Sequence, residues 1–168
     1  MACVLTQNYV PKDCKEAAGV VSYYLTPFSN MLTAVLTSNV VTAITKTVAW
    51  KKYSQEPEIA DWKYTGASDG KNLTYAYDWE ANFQTWGLNT LDQDELELLM
   101  KNKLVLIAEM ADGTFWMLGR TYGGHVVSDA FESGVAFGDF RGSKVGIKGR
   151  SSTKMVKVDS TIIAALLV

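Results

Sequence analysis

From Leu73 to Phe83 the chain alternates without a break: Leu73, Tyr75, Tyr77, Trp79, Ala81 and Phe83 are interleaved with Thr74, Ala76, Asp78, Glu80 and Asn82. Successive side chains of a strand point to opposite faces, so this pattern gives one aromatic face and one polar face and predicts a β-strand. A helix of period 3.6 would scatter the same aromatic side chains around its circumference. At about 3.3 Å per residue the stretch from Asn72 to Thr85 spans on the order of 45 Å, against a usual strand of about 5 to 6 residues. Part of it is therefore expected to extend past the domain or to bend.

The rest of the chain is read around that strand. Val20 to Leu25 and Val35 to Tyr53 are dense in Val, Thr, Ile, Tyr and Trp and predict further strands. Residues 55–71 contain Pro57, Gly66 and Gly70 among polar residues and predict a long loop or a loosely paired hairpin tip. Thr90-Leu91-Asp92-Gln93 fits a capping box, with acidic residues in the first turn, Leu96, Leu99 and Met100 on one face and Lys101 and Lys103 at the end; one helix is expected there. Lys103 to Met110 is almost continuously apolar, as in a strand covered on both faces, and Asp112-Gly113 then turns the chain into Thr114 to Arg120. Tyr122-Gly123-Gly124 is a second turn, and Val126 to Phe137 with Lys144 to Lys148 reads as a further strand pair. Met155 to Val168 reads as an edge strand or a docked arm. The expected fold is mainly β, eight to ten strands in a β-sandwich or open barrel, with one packed α-helix (about residues 91–102) and a long β-hairpin or loop arm. A single domain over 1–168 is expected, with 55–71 as an extended loop and 155–168 as a possible C-terminal arm.

Apolar residues at 48% and charged residues at 20% suffice for such a core. Sixteen Lys and Arg against eighteen Asp and Glu give a net charge of −2, too balanced to hold a polyanion by counterion release. Ile162 to Val168, the longest strongly apolar stretch, is far below the roughly 20 residues of a membrane-spanning helix. The first residues have no basic region followed by an apolar one, so no secretory signal and synthesis in the cytosol are expected. Cys3 and Cys14, with no other cysteine, cannot build a disulfide framework or a four-thiol zinc site. The sequon Asn72-Leu73-Thr74 matters only in a secreted protein.

Chemistry is hard to find. His125 is the single histidine, it follows a Gly-Gly turn, and no acidic cluster lies next to it in sequence. Asp92, Asp94, Glu95 and Glu97 form the densest carboxylate cluster, which helix capping explains. The glycines from Gly134 to Gly149 have neither the spacing nor the Lys-Ser/Thr ending of a P-loop and read as turns. No catalytic residue, cofactor or metal site is expected, and an enzyme is disfavoured.

In the C-terminal half, Leu91-Asp92-Gln93-Asp94-Glu95-Leu96-Glu97-Leu98-Leu99, then Val105-Leu106-Ile107-Ala108 and Asp112-Gly113-Thr114-Phe115-Trp116-Met117-Leu118-Gly119, then Ser133-Gly134-Val135-Ala136-Phe137-Gly138-Asp139 and Gly142, occur in that order. This run resembles phage tail tube proteins and related virion structural proteins of tailed phages of gut and marine bacteria. The resemblance covers a third to a half of the chain. It implies a virion structural subunit that self-assembles into rings, sixfold or a multiple, in a tail tube or tail barrel. It also implies other virion tail or connector proteins as partners, DNA only as passing cargo in the lumen, and no membrane. Glu58, Ile59, Trp62, Tyr64, Tyr75, Tyr77 and Trp79 are the candidate assembly residues. Two alternatives are carried. One is a head-tail connector, collar or capsid-decoration protein; the other is a small carbohydrate- or peptide-binding β module using the aromatic face.

Overall fold

A computed structural model describes residues 17–87 and 90–168. Cys3 and Cys14 lie outside the described residues. The architecture is mainly β, a single open mixed sheet with two short helices, consistent with the expected sandwich or open barrel.

The strands are β1 (Val20–Pro27), β2 (Met31–Thr37), β3 (Val40–Lys46), β4 (Lys51–Ser54), β5 (Asp61–Asp69), β6 (Thr74–Trp86), β7 (Leu104–Met110), β8 (Phe115–Leu118), β9 (Gly124–Glu132), β10 (Gly142–Ser151) and β11 (Val156–Val158). Helix α1 is Thr90–Lys101 and α2 is Ile163–Leu166. The hydrogen-bonded path runs β2-β3-β11-β8-β7-β9-β10-β6-β5, with β1 lying between β7 and β4 as a branch. A single pairing, Leu104 with Gly124, joins β7 to β9. That narrow junction lets the sheet fold over, so β5, β6, β9 and β10 form one layer and the remaining strands another.

The strand β7 explains the layering. Its even residues Leu104, Leu106 and Ala108 pack in one core cluster with Tyr23, Trp79, Phe83, Ile147 and the α1 residues Leu96 and Leu99. Its odd residues Val105 and Ile107 pack in a second cluster with Val41, Trp50, Met117, Val158, Ile163 and Leu166. A strand with both faces buried has to be apolar at every position, and Leu104 to Ala108 is.

Several expectations need correction. Of the two readings of 55–71, the hairpin is the one present and the long loop is not: β5 pairs with β6 from Asp61↔Asn82 to Asp69↔Thr74, and of this segment only residues 55–60 cross between the layers. Even that crossing is tied down. The Gln55 side-chain amide donates to the Gln84 carbonyl (3.0 Å) and accepts from the Gln84 N–H (3.0 Å), so it stands in for a strand backbone beside β6. The strand from Val126 ends at Glu132, and 133–141 is a loop. Helix α1 buries Leu96 and Leu99 but leaves Met100 and Leu98 exposed, because only one narrow stripe meets the sheets. The C-terminal segment is not an edge strand, and only its last residues dock as an appendage. Strand β11 is inserted between β3, to which it is parallel, and β8, to which it is antiparallel, and α2 then docks beside Trp50. The Trp50 backbone N–H donates to the Leu166 carbonyl at 2.8 Å.

Candidate assembly surface

The long amphipathic strand is present, as β6, thirteen residues in length. Its aromatic face is not uniformly buried. Trp79, Ala81 and Phe83 are in the core, Tyr77 is half-buried, and Tyr75 and Leu73 stand in solvent. The cause is the partner strand: β10 covers β6 only from Trp86 to Tyr77, where Ser151 is the last pair. Beyond that point, among the described residues, the β5–β6 hairpin stands as two strands alone. The projecting part is short, since only Ala67↔Ala76, Ser68↔Tyr75 and Asp69↔Thr74 lie past β10.

The hairpin is stiffened by aromatic contacts. The rings of Tyr64 and Tyr77 lie 5.6 Å apart, and those of Tyr75 and Tyr77 lie 6.0 Å apart, edge to face. Gly66 pairs with Tyr77, and a Cβ there would stand 2.9 Å from Tyr77 Cε1, so the glycine is the seat of the ring. The Tyr64 hydroxyl donates to the Thr153 carbonyl at 2.7 Å, and burial is the main cause raising its pKa. At the tip Asp69 accepts from the Lys71 N–H (2.8 Å), the Asn72 N–H (3.3 Å) and the Asn72 side chain (2.6 Å), which holds its carboxyl below the usual range.

The seven candidate residues do not form one surface. Trp79 is 2% exposed and belongs to the core, with its indole lying against Gly119, Gly124 and Gly149. Trp62 is half-buried against the same core, and its Nε1 donates to Met110 Sδ at 3.1 Å. Both are corrections: a tryptophan on an alternating strand reads the same whether it covers the core or a partner. Glu58 and Ile59 sit in the layer crossing, where Glu58 has a φ of 65°, at the opposite end of β5 from the tip. Tyr64, Tyr75 and Tyr77 do come together.

Sequence reasoning missed other exposed apolar groups. Strand β2, Met-Leu-Thr-Ala-Val-Leu-Thr, is the end of the sheet path and carries no charge and no proline. Leu32 is 58% and Val35 51% exposed on it. Edge strands are usually blunted by lysine, proline or pronounced bulges. Strand β2 has two register irregularities, at Met31/Thr33 and Val35/Leu36, and nothing else of that kind. The absence of charge over seven residues was the available signal. Strand β5, the other end of the path, by contrast carries Asp61, Lys63 and Asp69.

On the polar side of β6 and β10, charges pair across strands: Lys148 with Glu80 (3.1 Å), Arg150 with Asp78 (2.7 Å) and, toward β9, Lys144 with Glu132 (2.9 Å). The sign changes from strand to strand, with Asp78 and Glu80 on β6 facing Lys148 and Arg150 on β10. His125 is exposed on β9, opposite Lys148. Among the described residues no three His, Cys, Asp or Glu side chains are grouped to hold a metal ion, and no helix is long and apolar enough to cross a membrane.

Family models, curated proteins and solved structures were each compared with this chain, and none matches it.

Proposed function

We propose that the chain is a virion structural protein, a self-assembling subunit that forms rings, sixfold or a multiple, in a phage tail tube or tail barrel conducting DNA. The observation that carries this reading is β2, an uncharged apolar strand that ends the sheet and has an open edge among the described residues. Pairing such an edge with an edge of the next copy satisfies its outward N–H and C=O groups and continues the sheet from subunit to subunit. The tyrosine-bearing hairpin tip offers a second contact, toward a neighbour or the next ring. The charge-paired face of β6 and β10 suits a surface past which DNA slides, because paired lysines and arginines release few counterions on meeting phosphate.

Mass photometry and negative-stain electron microscopy of purified protein are expected to give rings or tubes. Val35→Lys, at an exposed position on β2, is expected to leave the circular dichroism unchanged and abolish them. A strictly monomeric wild type at high concentration would falsify the reading. The runner-up, a head-tail connector, collar or capsid-decoration protein, shares the edge pairing and differs in copy number per particle, which quantitative mass spectrometry of virions reads directly.

A specific observation also favours the binding-module reading. Tyr75 and Tyr122 are exposed beside a shallow cleft that Lys103, His125 and Arg150 also line. Aromatic rings with basic neighbours suit stacking on sugars or peptides. Calorimetric titration with a glycan and peptide panel tests it, and no heat of binding from any member removes it.

A further inference from the structure

Loop 133–141 presents Val135 and Phe137 to solvent at 102% and 114% relative exposure. The loop is nonetheless built. Gly134 has a φ of 72°, the Asp139 carboxylate accepts from the N–H groups of Val135 (2.9 Å) and Ala136 (2.7 Å), and the Asp139 N–H donates back to the Ala136 carbonyl (3.1 Å). Its base is anchored by the Gly87 N–H donating to the Arg141 carbonyl at 3.1 Å, and Lys144 Nζ lies 5.1 Å over the Phe140 ring. Two large apolar side chains thus stand in water on an ordered backbone, so the backbone part of the ordering entropy is spent before any partner arrives.

Elsewhere on the molecule α1 and the neighbouring strands β1 and β4 leave an apolar groove of about 210 Å³, walled by Leu25, Pro27, Leu99 and Leu104, with Val48 and Leu98 each 53% exposed on its rim. It is smaller than the roughly 300–1,000 Å³ of small-molecule sites, and suits one or two inserted side chains. We propose that Val135 and Phe137 of one copy insert into the groove between α1 and β1 of the next copy. Knob and groove are different patches of one chain, so the contact is head-to-tail, the type that propagates into a ring or a filament. Burying two fully exposed side chains together with Val48 and Leu98 removes apolar surface that a lone monomer leaves in water. This inference rests on the self-assembly reading and specifies its partner: a second copy.

The test uses full-length chains carrying Phe137→Asp, which spoils the knob, or Leu98→Arg, which blocks the groove. Both positions are exposed, and unchanged circular dichroism and thermal midpoints verify folding. Each variant alone is expected to be monomeric by light scattering under conditions where wild type assembles. Mixed one to one, they are expected to give dimers and nothing larger, since one intact knob and one intact groove remain. If either variant assembles as wild type does, or the mixture stays monomeric, the inference is overturned while self-assembly stands. A wild type that never assembles overturns both.

Discussion

Glycine and tryptophan define the residue scale of this fold. Trp79 lies where three glycines leave room for it: a Cβ on Gly124 would stand 2.4 Å from Trp79 Cη2, and one on Gly149 would stand 2.6 Å from both Trp79 Cε2 and the Gly123 carbonyl oxygen. The glycine-rich C-terminal half is therefore only partly about turns. Gly149→Ala is expected to destabilise the protein by about 1–3 kcal/mol through overpacking, read as a lower urea midpoint. Gly138→Ala, with nothing within 4 Å of the added atom, is the control and is expected to stay within about 0.5 kcal/mol. Asp139 supplies a pH dependence. The Ala136 and then the Val135 N–H lower its pKa, so the stabilisation it gives the loop is present above the unfolded carboxyl value and lost as pH falls through the folded one. Protection factors at the Val135 and Ala136 amides are expected to hold down to about pH 4, where an ordinary aspartate protonates, and to fall below it; protection factors unchanged down to about pH 2 would contradict this.

At the scale of elements, the amphipathic readings succeed where a partner covers the whole element and fail where it does not. Helix α1 illustrates this. Leu96 and Leu99 are buried, Glu95 accepts from the Tyr53 hydroxyl at 2.9 Å, and Met100 faces water. Leu96→Ala is expected to lower stability by about 2–5 kcal/mol, whereas Met100→Ala should change it by less than about 0.5 kcal/mol; equal effects in chemical denaturation would contradict the placement. Strand β6 behaves likewise along its length. An aromatic face buried throughout would make Tyr77→Asp prevent folding, but Tyr77 is only half-buried and its neighbour Tyr75 is exposed. Trp79→Ala, at the fully covered end, is expected to cost about 3–5 kcal/mol, and Tyr77→Asp less. The β2–β3 hairpin shows a turn that residue type alone undersold: Ser38 and Asn39 have φ values of 51° and 64° and join Thr37 to Val40 in a two-residue connection, with Asn the one residue that favours it.

For the whole molecule, layer crossing and sheet ends matter most. Removing Glu58 to Gly66 would take away most of β5 and, with it, Ala60 and Trp62 from the core, so that deletion is expected to unfold the subunit. The informative truncation replaces 67–76 by Asn-Gly, joining Gly66 to Tyr77 where β10 still covers β6. It is expected to keep a cooperative thermal transition and to shorten tubes into isolated rings; tubes of wild-type length would remove the hairpin tip from the assembly.

The sequence by itself determined the strand-rich class, the long alternating strand, the position of α1 and the doubly buried β7, because each is written in a local period that backbone geometry imposes. Only the tertiary structure decided which aromatic side chains are core and which are surface, that β11 is inserted between β3 and β8, and that β2 is an open edge among the described residues. Those outcomes depend on which distant segment covers a given face. Pairing between strands far apart in the chain carries no period of its own, so Trp79 and Tyr75, alike in pattern, end on opposite sides of the boundary between protein and water.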